Sequence, residues 1–204
     1  SNAFPPLRGG IINMRNTQFV EENFYHIFNR GTEKRIIFQD QADFRRFYES
    51  MYLFNDINFC NLGGRSSLRG GTPPLSDGQA RNPLGRIMSF CHLPNHFHII
   101  IEQLASDGLA RFMHKIEMGY SQYFNKFHSR SGNLFQGAYK IVHIDNDPYR
   151  IYIPLYIHLN ALELLDSEKN WKEKGIKNKT SAINFLKNYK WSSLMEYLKI
   201  KPTR

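Results

Sequence analysis

Cysteine is nearly absent from this 204-residue chain, which holds only Cys60 and Cys91. The two fit no Cys-x-x-Cys spacing, which points away from a cysteine-based metal site or a disulfide framework and predicts two reduced, buried thiols. Long apolar runs are lacking too. No stretch approaches the roughly 20 residues that a membrane span requires, and no signal-peptide pattern opens the chain, so the expectation is a cytoplasmic protein with no membrane partner. Acidic residues are scarce: 18 Asp and Glu stand against 27 Lys and Arg, a formal net charge of +9. An excess of this kind suits a polyanionic partner, whose counterions are released on binding.

What is present is aromatic and apolar enough for a packed core, with 41% hydrophobic and 14% aromatic residues, and the length fits one domain. Cations alternate with aromatics in Tyr123-Phe124-Asn125-Lys126-Phe127 and in Phe135-Gln136-Gly137-Ala138-Tyr139-Lys140. Bases stack on aromatic faces while cations hold the phosphates, so this interleaving favours single-stranded or hairpin nucleic acid over duplex. Ser1-Asn2-Ala3 reads as a tag remnant, and residues 4–17 as a Pro/Gly/Arg-rich flexible arm. Residues 18–200 read as a single domain with a Gly/Pro-rich insertion at about 61–85, whose Leu68-Arg69-Gly70-Gly71 echoes Leu7-Arg8-Gly9-Gly10. The insertion has no apolar period, which predicts a basic linker.

Within the domain, Phe24–Phe28 has strand composition and is followed by a basic turn, Asn29–Arg35. A helix begins at Gln39–Asp43, with Phe44, Phe47, Tyr48, Met51 and Phe54 at helical spacing. Arg86–His92 and His96–Ile101 form two further strands around Leu93-Pro94-Asn95. A long helix runs from Gly108 to about Phe127, with Phe112, Ile116, Tyr120 and Phe124 on one face. Tyr139–Ile144 is a fourth strand, and a helix follows through Ala161, with Asp147 as its cap, Pro148 at its first position, and Pro154 predicted to kink it. Residues 166–180 read as a polar loop or frayed helix, and Ser192 or Ser193 caps a last short helix. The order strand, helix, strand, strand, helix, strand, helix predicts an α+β fold of the ferredoxin-like kind, an antiparallel sheet with helices packed on one face.

The chemistry of the chain centres on His96-Phe97-His98. Alternate residues of a strand share a face, so both imidazoles point one way and Phe97 the other. A bare His-x-His often marks no more than a solvated strand face. Two imidazoles on a rigid strand are equally half of a metal site.

Five motifs in order carry a resemblance: Phe28-Asn29-Arg30-Gly31-Thr32, Leu93-Pro94-Asn95-His96-Phe97-His98, Gly132-Asn133-Leu134-Phe135-Gln136-Gly137, Tyr156-Ile157-His158-Leu159-Asn160 and Trp191-Ser192-Ser193. Together they resemble the IS200-like Y1 transposases of the HUH endonuclease superfamily, and within them the REP-associated tyrosine transposases, over about residues 18–198. The insertion near 61–85 departs from the compact family pattern, as does Ala161, where relatives carry Pro. The resemblance implies that His96 and His98 are metal ligands, that Tyr156 is the nucleophile, and that Asn160 helps complete the site. It also implies Mg²⁺ or Mn²⁺ as cofactor, cleavage of single-stranded DNA beside a hairpin through a 5′-phosphotyrosine, and a monomer or a homodimer.

Residues four apart share a helix face, so Tyr156 and Asn160 can address one point. A phenol with a pKa of about 10 needs activation by a metal or a base. Taken alone, Tyr149, Tyr152 and Tyr156 read as a packing stripe, and Tyr152 and Tyr120 are the next candidates for the nucleophile. Arg30, Lys34, Arg35, Lys115, Arg130 and Lys140 are candidate phosphate contacts, and Phe135 and Tyr139 candidate stacking platforms; each also has a plain reading as solvated charge or core. Two other functions compete: a zinc-dependent phosphodiesterase built on the two histidines, and a hairpin-binding protein descended from a transposase without its chemistry.

Overall fold

The computed structural model describes residues 20–57, 81–145 and 147–198. The tag remnant, the N-terminal arm, Cys60, most of the insertion and the side chain of Asp147 lie outside the described residues.

Among the described residues, four strands form one antiparallel sheet: β1 (Phe24–Arg30), β2 (Gly85–Leu93), β3 (His96–Gln103) and β4 (Lys140–Ile144), in the spatial order β2-β3-β1-β4. With α1 (Gln41–Leu53) between β1 and β2, and α2 (Gly108–Phe127) between β3 and β4, this is the expected ferredoxin-like order. The α1 start is set by Asp40, whose carboxylate accepts from the Ala42 and Asp43 amides. Those two amides have no partner within the helix, so the cap stabilises it by about 1 kcal/mol.

The period-2 alternation of the strands sorts their side chains onto two faces. Tyr25, Ile27, Phe97, Ile99, Ile101 and Ile141 point to one, where they pack with Phe44, Phe47 and Met51 of α1 and Phe112, Ile116, Tyr120 and Phe124 of α2. The opposite face is covered as well, which extends the expected single helical layer. Cys91, Leu93, Ile100 and Ile144 meet Ile153 and Ile157 of α3 (Asp147–Leu159), Leu162 of the 3-10 turn Asn160–Leu164, Trp171 of α4 (Trp171–Lys174), and Ala182 and Leu186 of α5 (Lys179–Asn188). Pro154 lies inside α3, and the helix continues through it.

The stretch expected to be a loose polar loop, 166–180, therefore carries a short helix and the start of another. Buried Glu168 organises it by accepting from the amides of Lys177 and Asn178, each at 2.9 Å. A helix α6 (Leu194–Tyr197) follows Ser193, but the Ser193 hydroxyl does not cap it. It serves the edge of β2 instead, where Trp191-Ser192-Ser193 pairs alongside: Trp191 O accepts from His92 N, the Ser193 amide donates to Phe90 O, and Ser193 Oγ accepts from Phe90 N at 2.8 Å. Residues 81–85, assigned to the insertion from sequence, are tied to the end of α1. The Arg81 guanidinium sits 3.7 Å from the Tyr52 ring centroid and pairs with Asp56.

Candidate active site

Three of the motifs meet at one end of the sheet. The Gly31 amide donates to Asn95 O, the Thr32 amide to Leu134 O, and the Gln136 amide to Arg30 O. Gly31 is needed for this approach, because a Cβ there would lie 2.3 Å from the Arg35 carbonyl oxygen. The junction holds Pro94-Asn95 in place, and β3 starts directly after it.

His96 and His98 leave this junction on the face covered by α3, with ring centroids 5.2 Å apart. The Nδ1 of each is engaged. His96 Nδ1–H donates to Asn95 Oδ1 at 2.6 Å, and since a carbonyl oxygen only accepts, the proton sits on Nδ1 and Nε2 is the bare nitrogen. His98 Nδ1 lies 2.9 Å from Nε2 of His26 on β1. Burial is the main reason that His96 titrates low, at about 4, with Glu163 opposing and Lys172 and Arg30 adding to the shift. Burial likewise holds His98 well below the usual imidazole range, helped by His26, His96, Lys172 and Arg30. Both imidazoles are thus neutral near pH 7, the protonation state that ligates a metal.

Asn160 opens the 3-10 turn after α3 and is fully buried. Its Nδ2 donates to Tyr156 O at 2.9 Å and Ile157 O at 3.3 Å, which leaves Oδ1 as a buried acceptor without a partner among the described residues. Such an oxygen costs free energy unless something binds it. The backbone of the next residue, Ala161, reaches the buried sulfur of Cys91, and Cys91 is the cross-strand neighbour of His98. Two imidazole nitrogens and an orphaned amide oxygen fit a divalent cation that keeps open positions, as Mn²⁺ or Mg²⁺ does. Among the described residues, no group of three or more His, Cys, Asp and Glu side chains offers an alternative metal site.

Tyr156 is half-buried on α3, its ring 5.9 Å from that of Trp171 and 6.1 Å from that of Tyr152. Lys172 links it to the histidines: its Nζ lies 5.3 Å from the centre of the Tyr156 ring, its charge bears on both His96 and His98, and Glu163 anchors it at 2.5 Å. Tyr120 is removed from this face altogether, buried among the α1 and α2 aromatics with its hydroxyl donating to Ile37 O.

The candidate DNA contacts divide. Arg30 pairs with His96 across the strands, and Lys140 opposes Phe28 in an exposed position at the start of β4, so both belong to the histidine face. Exposed Lys34 accepts through its backbone from Asn95, and Arg35 lies close enough to Arg130 for their charges to interact. Lys115 sits on α2, in the layer behind the sheet, with its ammonium on Asp56 O. Phe135 and Tyr139 are a correction: they are 6% and 9% exposed and belong to the α1/α2 core, where Phe135 packs on Phe97 and Tyr120, so no base can stack on them. Sequence reasoning passed over His26, Glu163 and Lys172. His26 lies 70 residues before His96 in a hydrophobic strand, and Glu163 and Lys172 lie in a polar stretch with no motif; only strand register and the chain's return over the sheet bring them here.

Residues 80–160 match the family model described as "Transposase IS200 like", the segment that contains His96, His98, Tyr156 and Asn160. Seven solved chains match the fold. One is a REP-associated tyrosine transposase bound to a REP hairpin, 10% identical, with a TM-score of 0.54 over 95% of this chain and 89% of that one. No curated protein matches the chain. Residues 80–160 are therefore similar to the IS200-like transposases, and the chain shares its fold with that hairpin-bound protein.

Proposed function

We propose that this chain is a metal-dependent single-strand DNA endonuclease and strand transferase that acts at REP-like hairpins through a 5′-phosphotyrosine on Tyr156. Residues 18–200 form its catalytic domain in this reading, with the insertion as an appendage. The observation that carries the proposal is the Oδ1 of Asn160, unpartnered among the described residues and buried one turn beyond Tyr156 on the layer that covers His96 and His98. The similarity of residues 80–160 to the IS200-like transposases and the hairpin bound by the structural neighbour support it.

His96, His98 and Asn160 would hold the cation. A divalent ion bound there supplies positive charge to offset the developing charge on the scissile phosphate. The chain's own groups do the rest. Arg30 and Lys172 offer cations beside the histidines for non-bridging phosphate oxygens. Arg30 is placed by its register with His96, and Lys172 by Glu163. The Tyr156 oxygen forms a bond to phosphorus as the bond to the 3′ oxygen breaks. The phenolic proton is lost to solvent or base, and the departing oxygen takes one up to become a 3′-OH. The bond energy stays in the phosphotyrosine, so a later 3′-OH can reverse the step without a nucleotide cofactor.

The test is a labelled hairpin with a single-stranded flank, incubated with Mn²⁺ or Mg²⁺ and resolved under denaturing conditions. Wild type is expected to form a covalent protein–DNA adduct, and Tyr156→Phe none. An adduct that survives in Tyr156→Phe overturns the assignment of the nucleophile. Hairpin binding with no nicking in either metal would instead identify a domesticated DNA-binding protein.

A further inference from the structure

We propose that His26 is a positioning residue that accepts a hydrogen bond from His98 Nδ1–H and so fixes the tautomer in which His98 presents a bare Nε2 to the metal position. The proposal rests on the reading of His98 as a ligand.

His26 has no obvious reason to be polar. It sits in the middle of β1 between Phe24 and Phe28 on the same face, is fully buried, and stacks on Phe28 at 5.0 Å and on His98 at 5.1 Å. An apolar residue would pack there without leaving a buried ring nitrogen, Nδ1, unpartnered among the described residues. What His26 does make is the 2.9 Å contact between its Nε2 and His98 Nδ1. At that distance the two ring nitrogens share one proton. One nitrogen of the contact therefore donates and the other accepts.

The reading of His98 as a ligand decides which. With Nδ1 taken up by His26, Nε2 is the ring nitrogen left for a metal. A ring nitrogen that ligates a cation offers its lone pair, so in a neutral imidazole the proton is on the other nitrogen. The proton of His98 therefore belongs on Nδ1, directed into the protein at His26. The result matches His96, whose tautomer Asn95 Oδ1 fixes. Metal-ligating histidines are commonly oriented by a second-shell acceptor of this kind; here the acceptor is a second imidazole from the neighbouring strand.

The experiment uses the full-length chain labelled with ¹⁵N at histidine. Long-range ¹H–¹⁵N correlation of the metal-free protein at pH 7.5 is expected to show His98 protonated at Nδ1 and unprotonated at Nε2. A proton on Nε2 overturns the proposal, and this readout needs no variant to fold. Mn²⁺ titration then compares wild type with His26→Gln, whose amide oxygen can accept, and His26→Phe, which cannot. The expected loss of affinity is about 10- to 100-fold for His26→Phe and much smaller for His26→Gln. Equal affinities in wild type and His26→Phe, or equal losses in both variants, overturn it. A wild-type chain with the expected tautomer that binds no Mn²⁺ would overturn the metal reading of the site while supporting the hydrogen-bond assignment.

Discussion

At the scale of single residues, the site is a set of polar groups each held by a partner on one side, with Asn160 Oδ1 left unpartnered among the described residues. Asn95 and His26 each take one nitrogen of a histidine, and α3 carbonyls take the amide hydrogens of Asn160. Asn160 therefore has two separable functions. Asn160→Ala removes two hydrogen bonds from a buried amide and the orphaned oxygen together. It is expected to lower stability by about 1–3 kcal/mol and to weaken Mn²⁺ binding by at least tenfold. Asn160→Asp keeps an oxygen and adds charge toward a cation, but leaves the Tyr156 and Ile157 carbonyls without their donor. It should bind Mn²⁺ better than Asn160→Ala and still melt below wild type. Calorimetric titration with thermal melting checks both; an alanine variant that binds Mn²⁺ like wild type would remove Asn160 from the site.

At the scale of elements, the site depends on the C-terminal third lying over a sheet whose other face is already filled by α1 and α2. The attachment is partly apolar, through Trp171, Ile153 and Ile157, and partly the strand-like run Trp191-Ser192-Ser193 on the edge of β2. This run also protects an edge that would otherwise offer unpaired backbone groups. Ser193 is its pivot, because its hydroxyl accepts from Phe90 N and contacts His158 Nε2 at 3.0 Å. Ser193→Ala is expected to cost about 1–3 kcal/mol through the buried groups it leaves unpaired. Hydrogen exchange should rise at the Phe90 amide and in the segment after Tyr189, while α1 and α2 keep their protection. Loosening spread evenly over both layers would contradict this division of the fold.

At the scale of the whole molecule, the features that shape the site also make the fold acid-sensitive. His26 and His92 are pushed down to about 3 and His158 to about 4, all by burial. Their unfolded value is about 6.5. Below it the unfolded chain binds protons that the folded chain refuses, so stability rises with pH and falls as the pH drops from 6.5 toward 3–4. Three such groups together lose about 4 kcal/mol by pH 5.5, a large share of a typical domain's 5–15 kcal/mol. The melting temperature should be level above pH 7 and fall steeply below 6.5. His92, enclosed by Phe38, Phe47 and Phe90 with neither ring nitrogen bonded among the described residues, offers the control. His92→Leu should reduce the slope by about one proton; a flat profile from pH 7.5 to 5 in wild type would refute the argument.

The amino-acid sequence determined what is local. Alternation placed His96 and His98 together on one face of β3, and helical spacing defined the buried faces of α1 and α2. Motif order was enough to indicate a resemblance to the IS200-like transposases. Tertiary structure decided what depends on register and on the chain's return. His26 meets His98 because β1 pairs antiparallel to β3, and Lys172 lies beside Tyr156 because α4 folds back over the same face. It also decided against base stacking by Phe135 and Tyr139. Their composition suits a nucleic-acid surface and a core equally well, and only the position of α2 over the sheet closes them off from solvent. The physical reason is range. Side-chain direction follows from a few neighbouring dihedral angles, whereas contact between residues 70 apart is set by how the layers pack. The two histidines are accordingly legible in the sequence, and the groups that orient and charge them are not.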